Sequence, residues 1–381
     1  ILVILDREFS ENDRSLITTC QNLGKKFAVH IIGRGLNSDL LNTVNFVPKF
    51  ISKIILSQSS DKTGRKTGIE RIILYLFQSP FLPFHLGCIT YQIVRLKPYF
   101  VYVREPVYLK SVIFIRKFFV FKFKIIFDIR ENPLFRYKYL EKMISKIDFS
   151  EVDQIYTISY ELKNFLTRNF NIEGYKVFVC YTLPAIGFFS DSKIKYQQLD
   201  EVGLPIRIVF FGDIKRDRKI DLFVDTLKKS GGKDCGVILD IFGRIIDHKY
   251  LQELLRGGDE FLNYKGLLKY QKAYDVLETY DIGLLTNELN ENSKLTLPGK
   301  LWEYMSCGLA IVSNDRPTVT PFIEKYELGW ILRSEEEWAS FCMNISQQRE
   351  LVSVRRRNSE IAYSGLAMEN ENRLKEFLEL L

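Results

Sequence analysis

Two short segments combine cations, glycines and a carboxylate in a way that suits a phosphorylated ligand. In FFGDIKRDRKI (Phe210 to Ile220), Gly212 follows an apolar run, and Lys215, Arg216, Arg218 and Lys219 come directly after it. Glycine lets backbone approach a ligand closely. An arginine can then grip a diphosphate as a planar fork, and a lysine can neutralise it as a point charge. In LPGKLWEYMSCGLAIVSND (Leu297 to Asp315), Pro298-Gly299 turns into a short helix that bears Lys300 and Glu303, and Gly308 ends it. Free N–H groups at a helix start favour a phosphate or a sugar hydroxyl oxygen. Glu303, one turn beyond Lys300, can accept both hydroxyls of a ribose. Alone, a basic loop is a solvated surface and a Lys-Glu helix pair an exposed ion pair; their position at strand ends is what points to a ligand.

The elements that must hold these residues alternate between strand and helix. The chain opens with ILVILD, then a helical pattern from Asp13 to Leu23 with Leu16, Ile17, Cys20 and Leu23 on one side, a stop at Gly24, and a second strand, AVHII. Strand-like runs recur at YFVYV (Tyr99 to Val103), KIIFD (Lys124 to Asp128), QIYTIS (Gln154 to Ser159) and KVFVC (Lys176 to Cys180). After a polar linker, Ser190 to Pro205, the grammar restarts with RIVFF, VILDIF, FLNY, DIGLL and LAIVS. The helix after RIVFF carries an apolar stripe of Ile220, Phe223, Val224 and Leu227, with Asp217 as its expected cap and Gly231-Gly232 as its exit. The tail from Glu335 is helical in pattern. This predicts an α/β fold of two Rossmann-like domains with parallel sheets. The first covers residues 1–190, joined by a C-terminal helix at about 366–381, and the second covers 191–365. Ligands of such sheets sit at the carboxyl ends of the strands, in an interdomain cleft if those ends face each other.

Composition removes several classes of function. The 381 residues are 46% apolar and 27% charged, ordinary for a globular protein, and 54 Lys plus Arg against 47 Asp plus Glu leave a net charge of +7. That excess suits a nucleotide or an anionic membrane surface and is too mild for nucleic acid. Six cysteines without a C-x-x-C read as reduced and mostly buried. Three histidines without ligand spacing, and no pair of aspartates one residue apart, predict neither a metal nor a cofactor. No G-x-G-x-x-G follows any strand, which argues against a nicotinamide oxidoreductase. Between Arg71 and Arg95 there is no charged residue, but Gln78, Pro80, Pro83, His85 and Gln92 argue against a membrane span and for a buried or surface-adsorbed helical hairpin. With no leader read at its start, the chain is expected in the cytoplasm. LKSVIFIRKFFVFKFKIIF (Leu109 to Phe127) mixes aromatics with Lys110, Arg116, Lys117, Lys122 and Lys124 and predicts peripheral contact with the inner membrane face.

The order of motifs in the second half resembles the retaining glycosyltransferases of family 4, which have the GT-B architecture. Gly212 with Arg218 and Lys219, LDIFG to Gly243 and the adjoining Arg244, NYKG to Gly266, YDIGLL, and the block Pro298, Lys300, Glu303, Tyr304, Met305 and Gly308 follow the family's sequence of parts. The first half matches more loosely, through E-N-D-R with Asp13 and Arg14, and D-I-R-E with Asp128, Arg130 and Glu131. The resemblance implies a transferase moving a sugar from a nucleotide-diphosphate sugar to a glycan or lipid-linked acceptor, without a metal. It gives Arg218 and Lys219 the leaving diphosphate and Glu303 the ribose. Gly212, Gly243, Arg244, Gly299 and Lys300 complete the donor site. Arg130 and Glu131 are candidates near the reacting sugar, with Asp13, Arg14 and Asp128 on the acceptor side. Two positions depart from the pattern: Leu295 stands where many members have a donor-contacting glutamate, and Arg130 where many have histidine. A non-catalytic or epimerase-type sugar-nucleotide-binding protein is the alternative.

Overall fold

The computed structural model describes residues 2–8, 29–34, 44–47, 83–104, 106–136, 144–184, 204–258, 260–268 and 270–380. The expected helix at Asp13 to Leu23, the candidates Asp13 and Arg14, and the greater part of the 190–205 linker lie outside them. So does most of the apolar stretch after Arg71, of which the helix Pro83–Leu96 is described.

The chain divides into two units, Ile1–Tyr181 with Phe377–Leu381, and Thr182–Glu376. The first contains a parallel sheet of seven strands: β1 (Leu2–Glu8), β2 (Val29–Arg34), β3 (Val44–Val47), β4 (Phe100–Val103), β5 (Lys124–Ile129), β6 (Gln154–Thr157) and β7 (Val177–Val179), in the order β3-β2-β1-β4-β5-β6-β7. Helices α1 (Pro83–Leu96), α2 (Pro106–Phe118), α3 (Pro133–Arg136) and α4 (Tyr160–Phe170) connect its later strands. All four residues of β4 are buried, as a parallel strand covered on both faces requires.

The second unit holds a parallel sheet in the order β10-β9-β8-β11-β12-β13. Its strands are β8 (Ile206–Phe211), β9 (Val237–Phe242), β10 (Leu262–Gly266), β11 (Ile282–Leu284), β12 (Ala310–Asn314) and β13 (Gly329–Leu332). Its helices are α5 (Ile220–Lys229), α6 (His248–Leu255), α7 (Tyr270–Leu277), α8 (Gly299–Ser306), α9 (Thr320–Lys325), α10 (Glu335–Asn344) and α11 (Arg349–Leu380). The stripe read from the sequence, Ile220, Phe223, Val224 and Leu227, is fully buried in the core of this unit. Asp217, expected to cap that helix, does not. The N-cap is Lys219, in the left-handed region at φ +51°, while Asp217 lies in a preceding 3-10 turn and pairs with Lys215 at 2.8 Å. The kink at Lys219 carries the aspartate away from the first helical N–H groups.

Buried arginine ties α11 to its own unit. Arg356 donates to the Gly308 carbonyl at 3.0 Å and to the Asp281 carboxylate at 3.2 Å. The last turn of the same helix belongs to the first unit, where Phe377 packs on Tyr156 and Phe178, ring centroids 5.7 and 5.4 Å away.

Candidate functional site

In the second sheet β8 lies between β9 and β11, so the strand order reverses there. Such a switch point is where open α/β sheets leave a crevice beyond their carboxyl ends. Here a tyrosine shapes it. The buried Tyr304 hydroxyl accepts from the Phe211 N–H at 3.0 Å and donates to the Leu284 carbonyl at 3.3 Å, bridging strands β8 and β11 where their direct pairing has ended. Tyr304→Phe removes both of these hydrogen bonds. It should cost roughly 1–3 kcal/mol, measured as a lowered midpoint in denaturant titration.

The cationic loop after β8 divides sharply. Arg216 turns away, bonding Glu253 at 2.7 Å and lying over the Tyr250 ring, and Lys215 is occupied by Asp217. Arg218 points elsewhere: its Nη1 donates to the Asn287 side chain, just past β11, at 3.0 Å. Its Nε is buried without a hydrogen-bond partner, with the nearest Asp217 carboxylate oxygen at 3.9 Å. Lys219 holds a left-handed conformation at the start of α5 and offers that helix no side-chain cap. Backbone strain of this kind is retained mainly at functional positions.

Lys300 enters the same crevice from α8. Its ammonium sits 3.9 Å from the centroid of the Phe210 ring, and its stem occupies the space beside Gly212. A Cβ on Gly212, at φ +147°, would stand 2.2 Å from Lys300 Cε. Glycine suits this position because L side chains rarely adopt such a φ, and the flexible end of Lys300 fills the space beside it. A Cβ on Gly243 would fall 1.9 Å from the Gly212 carbonyl oxygen, so Gly212 and Gly243 together bring the ends of β8 and β9 into contact. Burial, reinforced by Arg218, pushes the Lys300 ammonium well below the ordinary lysine range, against the opposing pull of Glu303 and Asp213. Glu303, one turn along α8, is half-buried. Gly299 opens α8 with open space around it, and no side chain caps that end.

One member of the cluster was missed by the sequence reading. Arg316, just past β12, is only 3% exposed. Its Nε is buried without a hydrogen-bond partner, and burial together with Arg218 lowers its pKa to about 10. Thr286, beyond β11, also buries an unpartnered hydroxyl. The structure thus brings Arg218 and Arg316 close enough to Lys300 to lower its pKa, and Arg218 close enough to Arg316 to do the same, with buried donors left unmatched. Such an arrangement is unfavourable by itself and is relieved by an anion. Arg244 stands apart from this group, in a bidentate exposed pair with Asp213 at 3.1 and 3.2 Å.

In the first unit the three candidates at the end of β5 divide. Asp128 is fully buried; it accepts from Tyr102 at 2.7 Å and from Arg130 Nε at 2.8 and 3.0 Å. Arg130 in turn lies 5.6 Å from the Tyr156 ring centroid. Although burial opposes its charge, Asp128 raises the Arg130 pKa overall. The pair is an internal ion pair that fixes the strand end, and Glu131 beside it is half-buried. Among the described residues no group of three or more His, Cys, Asp or Glu could hold a metal ion, and no helix is long and apolar enough to cross a membrane.

Residues 205–348, the greater part of the second unit, match the family Glycosyl transferases group 1. No curated protein matches the sequence. Among solved structures, Anabaena Alr3699/HepE in complex with UDP aligns over 100% of both chains with a TM-score of 0.70 at 13% identity. A glycosyltransferase from Rickettsia africae ESF-5 aligns over 100% of this chain and 97% of its own, with a TM-score of 0.66 at 13% identity. The apo lipopolysaccharide outer core galactosyltransferase WaaB aligns over 98% and 99%, with a TM-score of 0.64 at 14% identity. The fold is that of GT-B glycosyltransferases, with two Rossmann-like units, and the segment from Gly212 to Gly308 falls within the match to Glycosyl transferases group 1.

Proposed function

We propose that this chain, with its glycosyl transferases group 1 segment, is a glycosyltransferase that moves a sugar from a nucleotide-diphosphate sugar to a glycan or lipid-linked acceptor. The observation that carries the reading is the convergence of Arg218, Lys300 and Arg316 at the switch point, with buried donors that no described residue satisfies. In such a transfer the barrier is departure of a nucleoside diphosphate from an oxocarbenium-like carbon. Fixed cations in a partly desolvated crevice stabilise the charge that builds on the leaving phosphate. Arg218 and Lys219 take the diphosphate, Lys300 and the open start of α8 the adjoining phosphate or sugar oxygens, and Glu303 the ribose diol.

These side-chain cations do the work that a divalent ion does elsewhere, so turnover is expected to withstand chelation by EDTA. Retention of anomeric configuration, with the leaving phosphate as base, follows the family resemblance. Complexes of Anabaena Alr3699/HepE with UDP and with UDP-glucose make UDP-sugars the first donors to try.

The test is release of nucleoside diphosphate from UDP-, GDP- and ADP-sugars with and without added glycan acceptors. Acceptor-dependent release supports the reading. Binding without any release would favour a non-catalytic nucleotide-sugar protein.

A further inference from the structure

We propose that the turn joining α2 to β5 in the first unit seats the protein on an anionic lipid bilayer. Phe118 is 67% exposed there and Val120 80%, with Phe119 and Phe114 about half exposed. The rings pack on one another outside the core: Phe118 stacks on Phe114 at 5.4 Å and meets Phe119 edge-on at 5.0 Å. A contiguous exposed apolar patch of this kind marks a contact surface.

The backbone argues the same way. The Phe119 N–H donates to the Ile115 carbonyl and the Phe121 N–H to the Arg116 carbonyl, both at 3.1 Å, which closes α2 around Val120 at φ +54°. Helix ends of this shape favour glycine, because a β-branched residue is strained in the left-handed region. Folding alone would choose glycine at this place, yet the chain holds an exposed valine.

Charge identifies the occupant. Arg116 and Lys117, on the same helix, are neutralised by Asp148, Glu151 and Asp153. Arg95, Lys97 and Lys122 are exposed and make no ion pair among the described residues. They belong to the same end of the sheet: α1 ends at Leu96 just before β4, α2 ends at Phe118 just before β5, and the Lys124 N–H donates to the Tyr99 carbonyl at 2.9 Å. Aromatic rings flanked by lysine and arginine suit the headgroup layer of an anionic membrane. A second copy of this chain would set those cations against one another. The patch also lies at the opposite end of the sheet from Asp128 and Arg130, so docking there leaves the carboxyl ends of the strands uncovered.

The test is co-sedimentation of the whole chain with vesicles of phosphatidylcholine alone and of phosphatidylcholine with phosphatidylglycerol. The protein should sediment with the anionic vesicles, be released by high salt, and stay in solution with the neutral ones. Phe118→Ser with Phe119→Ser should lower partitioning roughly tenfold or more. Val120→Gly should lower it too while raising the melting temperature, because glycine relaxes the turn; a variant that is more stable and binds less excludes unfolding as the cause. Equal sedimentation of the double variant and the parent would overturn the proposal. So would equal binding to both vesicle types, or a concentration-dependent dimer that the double substitution abolishes.

Discussion

Arg218→Ala should lower turnover by roughly 10²-fold or more, the scale seen when one donor to a developing oxyanion is removed, without lowering the melting temperature. The two halves of this expectation come from the same geometry. Arg218 makes one side-chain hydrogen bond, to Asn287, and leaves its Nε unmatched, so little native structure depends on it. It also depresses protonation of both Lys300 and Arg316, so its removal relieves like-charge repulsion in the ligand-free protein. Steady-state kinetics with thermal melting decides the matter. Unchanged turnover would remove Arg218 from the chemistry, and a loss of turnover that tracks a loss of fold would make it structural.

Lys300→Met should separate stability from binding more plainly still. Burial pushes the Lys300 ammonium well below the ordinary lysine range. The unfolded chain then holds this proton more firmly than the native one, and the ligand-free protein gains stability as pH rises between the depressed value and the ordinary one. Methionine keeps a stem beside Gly212 and removes the buried charge, so the melting temperature should rise. Nucleoside diphosphate should bind roughly 10- to 100-fold more weakly, the value of one charge-assisted hydrogen bond. In the parent protein a bound diphosphate raises the lysine pKa again. Binding should therefore take up a proton, and affinity should fall as pH rises through the depressed value. Calorimetry in buffers of different ionisation enthalpy measures that proton; an uptake that persists in the methionine variant would assign it to another group.

Most of the fold was legible because parallel strands buried on both faces are written as uninterrupted apolar runs, as in RIVFF, VILDIF and LAIVS. The strands that escaped notice, Val44–Val47 and Gly329–Leu332, are short and lie at the sheet edges, and the half-burial of most of Gly329–Leu332 leaves a weaker pattern. The site was legible where one segment carried it, as with Lys300 and Glu303 on a single helix turn. Arg316 could not be read this way. It is separated from Arg218 by 98 positions, and only the strand order brings their loops together. Conversely, the run KRDRK looked like four equivalent cations, whereas Glu253 and Asp217 engage two of them. Asp128, read for the acceptor side, and Arg130, read near the reacting sugar, pair with each other at the end of β5, a contact that local spacing does not reveal.

The most direct measurement is calorimetric titration of the parent protein and of Arg316→Gln with UDP, GDP and ADP, and with the matching nucleosides. If three cations at one strand reversal grip a diphosphate, at least one diphosphate binds, its nucleoside binds far more weakly, and Arg316→Gln weakens the diphosphate roughly tenfold or more. A nucleoside that binds as tightly as its diphosphate, or no binding by any of the three diphosphates, would contradict that account.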